Sequence, residues 1–145
     1  MKLVMTIICS FALSVLFAQS ECKKCDGDIV LATFEKQSEF TRQDVDEFLC
    51  TIDKSCIDNV EFGQFSNEVL FLVANRNPKI FLSSLAENSS SNRQYIIRMF
   101  SDPINDSINV KKTIHSIRSV RGFRAFRETK KSVLTALRKA LPKKR

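Results

Sequence analysis

The stretch 58–78, DNVEFGQFSNEVLFLVANRNP, decides how the rest of the chain is read. Asp58-Asn-Val-Glu61 has the form of a helix start, and Phe62, Phe65, Val69, Leu72 and Val73 then recur at the 3.6-residue period of one helical face. Leu70 and Phe71 widen that face beyond a single stripe, which predicts a helix at the centre of the fold rather than on its rim. Gly63 inside such a helix costs about 1 kcal/mol relative to Ala, so a closely packed neighbour is expected there.

The same period continues on both sides. Thr41-Arg-Gln-Asp44 reads as a capping box with Asp in place of Glu, and Val45, Phe48, Leu49 and Ile52 follow at helical spacing. Asn77-Pro78 and Asp102-Pro103 each offer an N-cap side chain followed by proline at the first helical position. They predict one helix carrying Ile80, Phe81 and Leu85, and another carrying Ile104, Ile108, Ile114 and Ile117, with a break where the phase slips between Asp106 and Asn109. Between them, residues 88–92 read as a loop, and Ser91-Asn-Arg-Gln94 caps a short helix bearing Tyr95, Ile96, Met99 and Phe100. In DIVLATFEKQS, 28–38, Ile29-Val30-Leu31 favour a strand, but Leu31, Phe34 and Glu35 fit a helix and no partner strand is visible elsewhere. The last apolar segment runs from 123 to 141, bounded by Gly122 and Pro142. The expected fold is all-α, a small bundle or short helical-repeat-like stack of roughly five to seven helices. The expected division is a helical domain over 21–121 and a basic amphipathic helix and tail over 122–145.

The N-terminus supplies the compartment. Lys2 followed by the apolar run Leu3–Ala18, with small residues at Ala18 and Ser20, has the layout of a secretory signal peptide covering 1–20 and cut before Glu21. That run is shorter than the roughly 20 residues of a membrane span, and no basic cluster follows it. Removal of the leader takes Cys9 with it and leaves Cys22, Cys25, Cys50 and Cys56, an even number in an exported chain, which predicts two disulfides near the N-terminus. Pairing the first two cysteines with the last two is favoured, because a loop of about 30 residues gains roughly 3 kcal/mol or more from restriction of the unfolded chain. A zinc site would want two short-spaced thiolate pairs, and the spacing Cys50-x5-Cys56 departs from that. A redox pair would want its Cys-x-x-Cys at a helix start after a core strand; Cys22 and Cys25 keep this only as a remote alternative, through Lys23 and Lys24.

Charge is divided along the chain. From 21 to 100 there are nine Lys and Arg against thirteen Asp and Glu; from 101 to 145 there are thirteen against three. A mildly acidic body therefore carries a strongly basic end, and asymmetry of this kind points to an anionic partner. In RGFRAFRETKKSVLTALRKALPKKR, 121–145, Phe123, Phe126, Val133, Leu134, Leu137 and Leu141 approximate one helical stripe. Arg121, Arg124, Arg127, Lys131, Arg138 and Lys139 lie mostly off it. A basic amphipathic helix of this form suits an acidic groove or an anionic membrane surface; any surface helix of a bundle also has one apolar and one charged face. The expected contact set is Arg121, Phe123, Arg124, Phe126, Arg127, Lys131, Leu134, Leu137, Arg138 and Lys139.

Chemistry-bearing motifs are not found. His115 is the sole imidazole, Ser66-Asn67-Glu68 are consecutive helical residues that do not face one another, and Asp26-Gly27-Asp28 lacks the acids of a calcium loop. No phosphate-binding glycine loop, HExxH or nucleophile elbow occurs. Asn88-Ser-Ser and Asn105-Asp-Ser are glycosylation sequons, with Asn88 the better acceptor in a eukaryotic host. The expectation is a secreted or periplasmic, non-enzymatic binding protein with no cofactor and no metal, using its basic C-terminal helix on an acidic protein partner. A membrane-active or lipid-surface role for the same helix is the alternative. Nucleic acid is disfavoured by export.

Overall fold

A computed structural model describes residues 22–121 and 124–142. The expected signal peptide, Glu21 and Phe123 lie outside the described residues. Seven α-helices follow one another: α1 Gly27–Glu35, α2 Arg42–Thr51, α3 Val60–Arg76, α4 Pro78–Glu87, α5 Ser90–Met99, α6 Val110–Ser119 and α7 Arg127–Lys139. Single 3-10 turns occur at Lys54–Cys56 and Arg124–Phe126, and no strand occurs among the described residues. The fold is all-α with two disulfides near its N-terminus, joining Cys22 to Cys50 and Cys25 to Cys56.

Local sequence sets most helix starts. Thr41 and Asp44 form the capping box: Thr41 Oγ1 accepts from the Asp44 N–H at 3.2 Å, and Asp44 Oδ2 accepts from the Thr41 N–H at 2.8 Å. Residues 27–35 are helical as expected, with Asp26 accepting from the Asp28 and Ile29 N–H groups, but the buried face is Val30 and Thr33, and Leu31 and Phe34 stay exposed. Asn59, rather than Asp58, caps α3 by accepting from the Phe62 N–H at 3.0 Å. Ser89, two residues before the expected Ser91, caps α5. Pro78 opens α4 as expected, but the Asn77 side chain makes no cap bond. Its Nδ2 instead donates to the Ser38 carbonyl at 3.1 Å, tying α4 to the turn before α2.

Two helices share the centre. The long α3 buries Phe62, Val69, Leu70, Phe71, Val73 and Ala74, and packs against α1, α4 and α6. The shorter α4 touches α2, α3, α6 and α7, and so joins the two halves of the molecule. Phe81 of α4 and Phe71 of α3 meet Phe100, at the end of α5, with ring centroids 5.6 and 4.9 Å apart, both edge-on. Phe100 is fully buried. Val133, Ala136 and Leu137 of α7 belong to the same continuous core as Val30 of α1 and Phe48 of α2.

The region around Pro103 departs from its pattern. No helix starts at Pro103; the chain makes successive turns from 100 to 109, and α6 begins only at Val110, capped by Asn109 at 2.9 Å from the Lys112 N–H. The expected break near Asp106–Asn109 is the true start. The cause is tertiary. Asn67, buried in α3, donates from Nδ2 to the Met99 carbonyl at 3.1 Å and accepts at Oδ1 from the Ile104 N–H at 3.3 Å. Asn105 adds a second tie, donating to Glu68 Oε1 at 2.9 Å while its Oδ1 accepts from the Ser107 N–H. Asn67 and Glu68 thus hold the segment against α3, while Asn105 Oδ1 takes the Ser107 N–H that a helix from Pro103 would give to the Pro103 carbonyl.

Gly63 is another departure: a methyl group built there meets no atom within 4 Å, so no close neighbour requires glycine. Gly63→Ala should therefore raise stability by about 0.5–1 kcal/mol through helix propensity alone, read as a higher midpoint in urea at unchanged slope. Asn67→Ala should lower it by about 1–2 kcal/mol, because the Met99 carbonyl and Ile104 N–H lose their partner at a part-buried site. An unchanged midpoint for Asn67→Ala would show that the clamp is idle.

Candidate basic contact surface

The disulfides hold the end of the molecule opposite in charge to the candidate surface. Cα atoms are 5.7 Å apart in Cys22–Cys50 and 5.5 Å in Cys25–Cys56. Backbone bonds set the same register: the Cys25 N–H donates to the Thr51 carbonyl at 2.9 Å and the Asp26 N–H to Thr51 Oγ1 at 2.7 Å. Cys25 takes a left-handed φ of 58°, which turns the arm into α1. Each cysteine of the Cys-x-x-Cys is thus bonded to a distant partner, not to its neighbour. Two disulfides are the mark of an oxidising compartment.

Ion pairs gather in this acidic part. Lys24 meets Asp53 at 3.2 Å, Lys36 pairs with Asp44, and Arg42 reaches Asp46 at 3.0 Å and Glu87 at 2.6 Å. Hydrogen bonds from the Ser55 backbone and hydroxyl hold the Asp53 carboxyl down to about 2, with Lys24 adding to the effect. For Asp44, partial burial works upward but is outweighed by Lys36 and by both Thr41 donors, so its pKa falls. The hydrogen bond to Glu87 raises Arg42, which is charged in any case.

No ion pair occurs beyond Glu87 among the described residues. Arg121, Arg124, Arg127, Lys131, Arg138 and Lys139 are all exposed, as are Lys111, Lys112 and Arg118 of α6. Asp102, Asp106 and Glu128 are the acids of residues 101–145. Because α7 turns its apolar stripe inward, its own cations Arg127, Lys131, Arg138 and Lys139 are left on the exposed side. Phe126 and Leu137 are 5% and 0% exposed. Both therefore anchor α7 to the core and do not form an outer contact surface. Leu134 is half-buried against the same core, and Phe123 falls outside the described residues.

Lys130, one of the cations of residues 101–145, is taken up by the fold itself. Its Nζ donates to the Arg118 carbonyl at 3.0 Å and the Val120 carbonyl at 2.6 Å, closing the C-terminal end of α6. A cation there satisfies orphan carbonyls and complements the helix dipole. Nothing in the local sequence marks it, since the carbonyls come from ten and twelve residues earlier. Exposed large apolar side chains lie elsewhere: Leu31 and Phe34 on α1, Ile57 and Val60 around the start of α3, and Ile104 in the 100–109 turns. None lies on α7.

Between α5 and α7 runs an open groove of about 450 Å³, lined by Arg98 and Ser101 on one side and Glu128, Lys131, Ser132 and Lys139 on the other. Among the described residues no cluster of three His, Cys, Asp or Glu side chains could hold a metal ion, and no helix is long and apolar enough to cross a membrane. His115 is exposed on α6.

Asp53 and Asp44 both contribute a pH dependence to this part of the molecule, and Asp53 is the group held furthest down. Its folded pKa of about 2 lies below the ordinary value of 3.8, so the stabilisation is complete above the ordinary value and is lost as pH falls towards 2. Unfolding in urea should show a declining free energy between pH 5 and pH 2, and Asp53→Asn should flatten that decline. An equal decline in Asp53→Asn would move the cause elsewhere. No protein-family model matches this chain, and no curated protein or solved structure matches it significantly.

Proposed function

We propose that this chain is an exported, non-enzymatic binding protein that docks an acidic protein partner through the cationic outer face of α7 and the link before it. The observation that carries this reading is the combination of six exposed cations that pair with no described residue, Arg121, Arg124, Arg127, Lys131, Arg138 and Lys139, with an apolar stripe already buried in the core. A field built from one sign of charge on a rigid surface steers an anionic partner and speeds its association. Export is supported by the leader-like residues 1–20 and by the two disulfides.

Membrane activity through the same helix is less well supported. Insertion needs an apolar face to enter the bilayer, and Val133 and Leu137 are both fully buried. Releasing α7 would expose these side chains to water before lipid could cover them, at a cost of about 1.5–3 kcal/mol for each. Electrostatic adsorption without insertion is the form in which a membrane role survives.

The test is capture by chemical cross-linking from exported material of the source organism, with wild-type protein and an Arg124→Glu/Arg127→Glu/Arg138→Glu variant. A partner cross-linked through its acidic residues should be captured by wild type, and its association should slow about tenfold or more in the variant and in high salt. Capture unaffected by the three reversals sinks the proposal. Co-sedimentation with anionic but not neutral vesicles, in the absence of any protein partner, would replace it with the adsorption reading.

A further inference from the structure

We propose that the groove between α5 and α7 seats an extended acidic peptide segment, with carboxylates received by Lys131, Lys139 and Arg98. This rests on the acidic-partner reading and gives it a specific seat. The side chains of Arg98, Ser101, Lys131, Ser132 and Lys139 line the groove and make no hydrogen bond or ion pair with a described residue. Unused donors therefore converge on one open trough: three cations, with two hydroxyls between them. Thr135, also in the lining, donates its hydroxyl to the Lys131 carbonyl at 2.9 Å, and so offers a ligand only a lone pair.

Spacing selects the form of the ligand. Lys131 and Lys139 are separated by about 12 Å of helix at 1.5 Å per residue. In an extended chain, acidic side chains four residues apart point to one side and stand about 13 Å apart. Two such carboxylates match the two lysines, while Arg98, from the facing helix, offers a fork for either of them. Ile97 and Ala136 give the floor an apolar strip on which the intervening residues lie. Glu128, the single acid in the lining, opposes a further carboxylate beyond Lys131 and so limits the acidic run.

The measurement is fluorescence anisotropy at low ionic strength, using a fluorescein-labelled peptide with glutamate at every fourth position and Gly and Ser between. Wild type should bind saturably, and Lys131→Glu/Lys139→Glu should weaken binding about tenfold or more, the sum of a few exposed charge pairs. Lys111→Glu/Lys112→Glu alters net charge equally on α6 and should change affinity less than about twofold. Glu128→Lys should tighten binding about threefold, a gain that damage to folding cannot imitate; thermal melts of all variants check that they fold. Equal weakening by both lysine pairs would overturn the groove while leaving docking through the cationic face intact. Absence of saturable peptide binding would also overturn it. If cross-linking to an acidic partner is then lost as well, the wider reading falls with it.

Discussion

Everything C-terminal to α5 depends on how Phe100 is buried. Its ring fills the angle between Phe71 and Phe81 on the two central helices, and Asn67 holds the backbone on either side by bonding Met99 and Ile104. A fully buried aromatic and a satisfied buried amide reinforce each other: losing the ring opens a cavity, and losing the amide strands two backbone groups. Because the chain leaves the core at this fixed point, the turns from 100 to 109 deliver α6 onto α3 and α7 onto α4, α5 and α6. The groove beside α5 exists only because that delivery is fixed.

The two ends of the molecule solve opposite electrostatic problems. In the N-terminal part, acids moderately outnumber bases, and the helix starts, the turns and the arm are tied by ion pairs, one capping box and disulfides. In the C-terminal part, cations far outnumber acids, so most cannot find partners within the chain. Their mutual repulsion is tolerable because they stand in water at the surface, where high dielectric and salt weaken it. Apolar packing of α7, together with Lys130 closing the end of α6, holds the like charges on one rigid face.

One helix consequently has two duties. Its inward residues, Val133, Ala136 and Leu137, are structural, and its outward residues are free to make contact. Amphipathic basic sequence is often associated with lipid, but an apolar stripe can be used only once. Where it completes a protein core, what remains outside is charge, and charge on a rigid scaffold recognises charge on a partner with little ordering cost. Among the described residues the exposed large apolar side chains lie on α1, at the start of α3 and at Ile104, and none lies on α7.

Sequence by itself determined the helical class, the capping box at Thr41 and Asp44, the proline start of α4 and the division of charge; it favoured pairing the first two cysteines with the last two, and the structure chose Cys22–Cys50 and Cys25–Cys56. These are local or compositional properties: a 3.6-residue period, a cap three residues from its target, and a count of charges need no distant partner. Tertiary structure alone decided where α6 begins, that Gly63 has open space beside it, that Phe126 and Leu137 turn inward, and that Lys130 caps a neighbouring helix. In each case the deciding atom lies on another element. Asn67 reaches Met99 and Ile104 from more than thirty residues away, and these ties fix the path of the chain around Asp102-Pro103 because polar backbone groups leaving water must be paired wherever a partner is found.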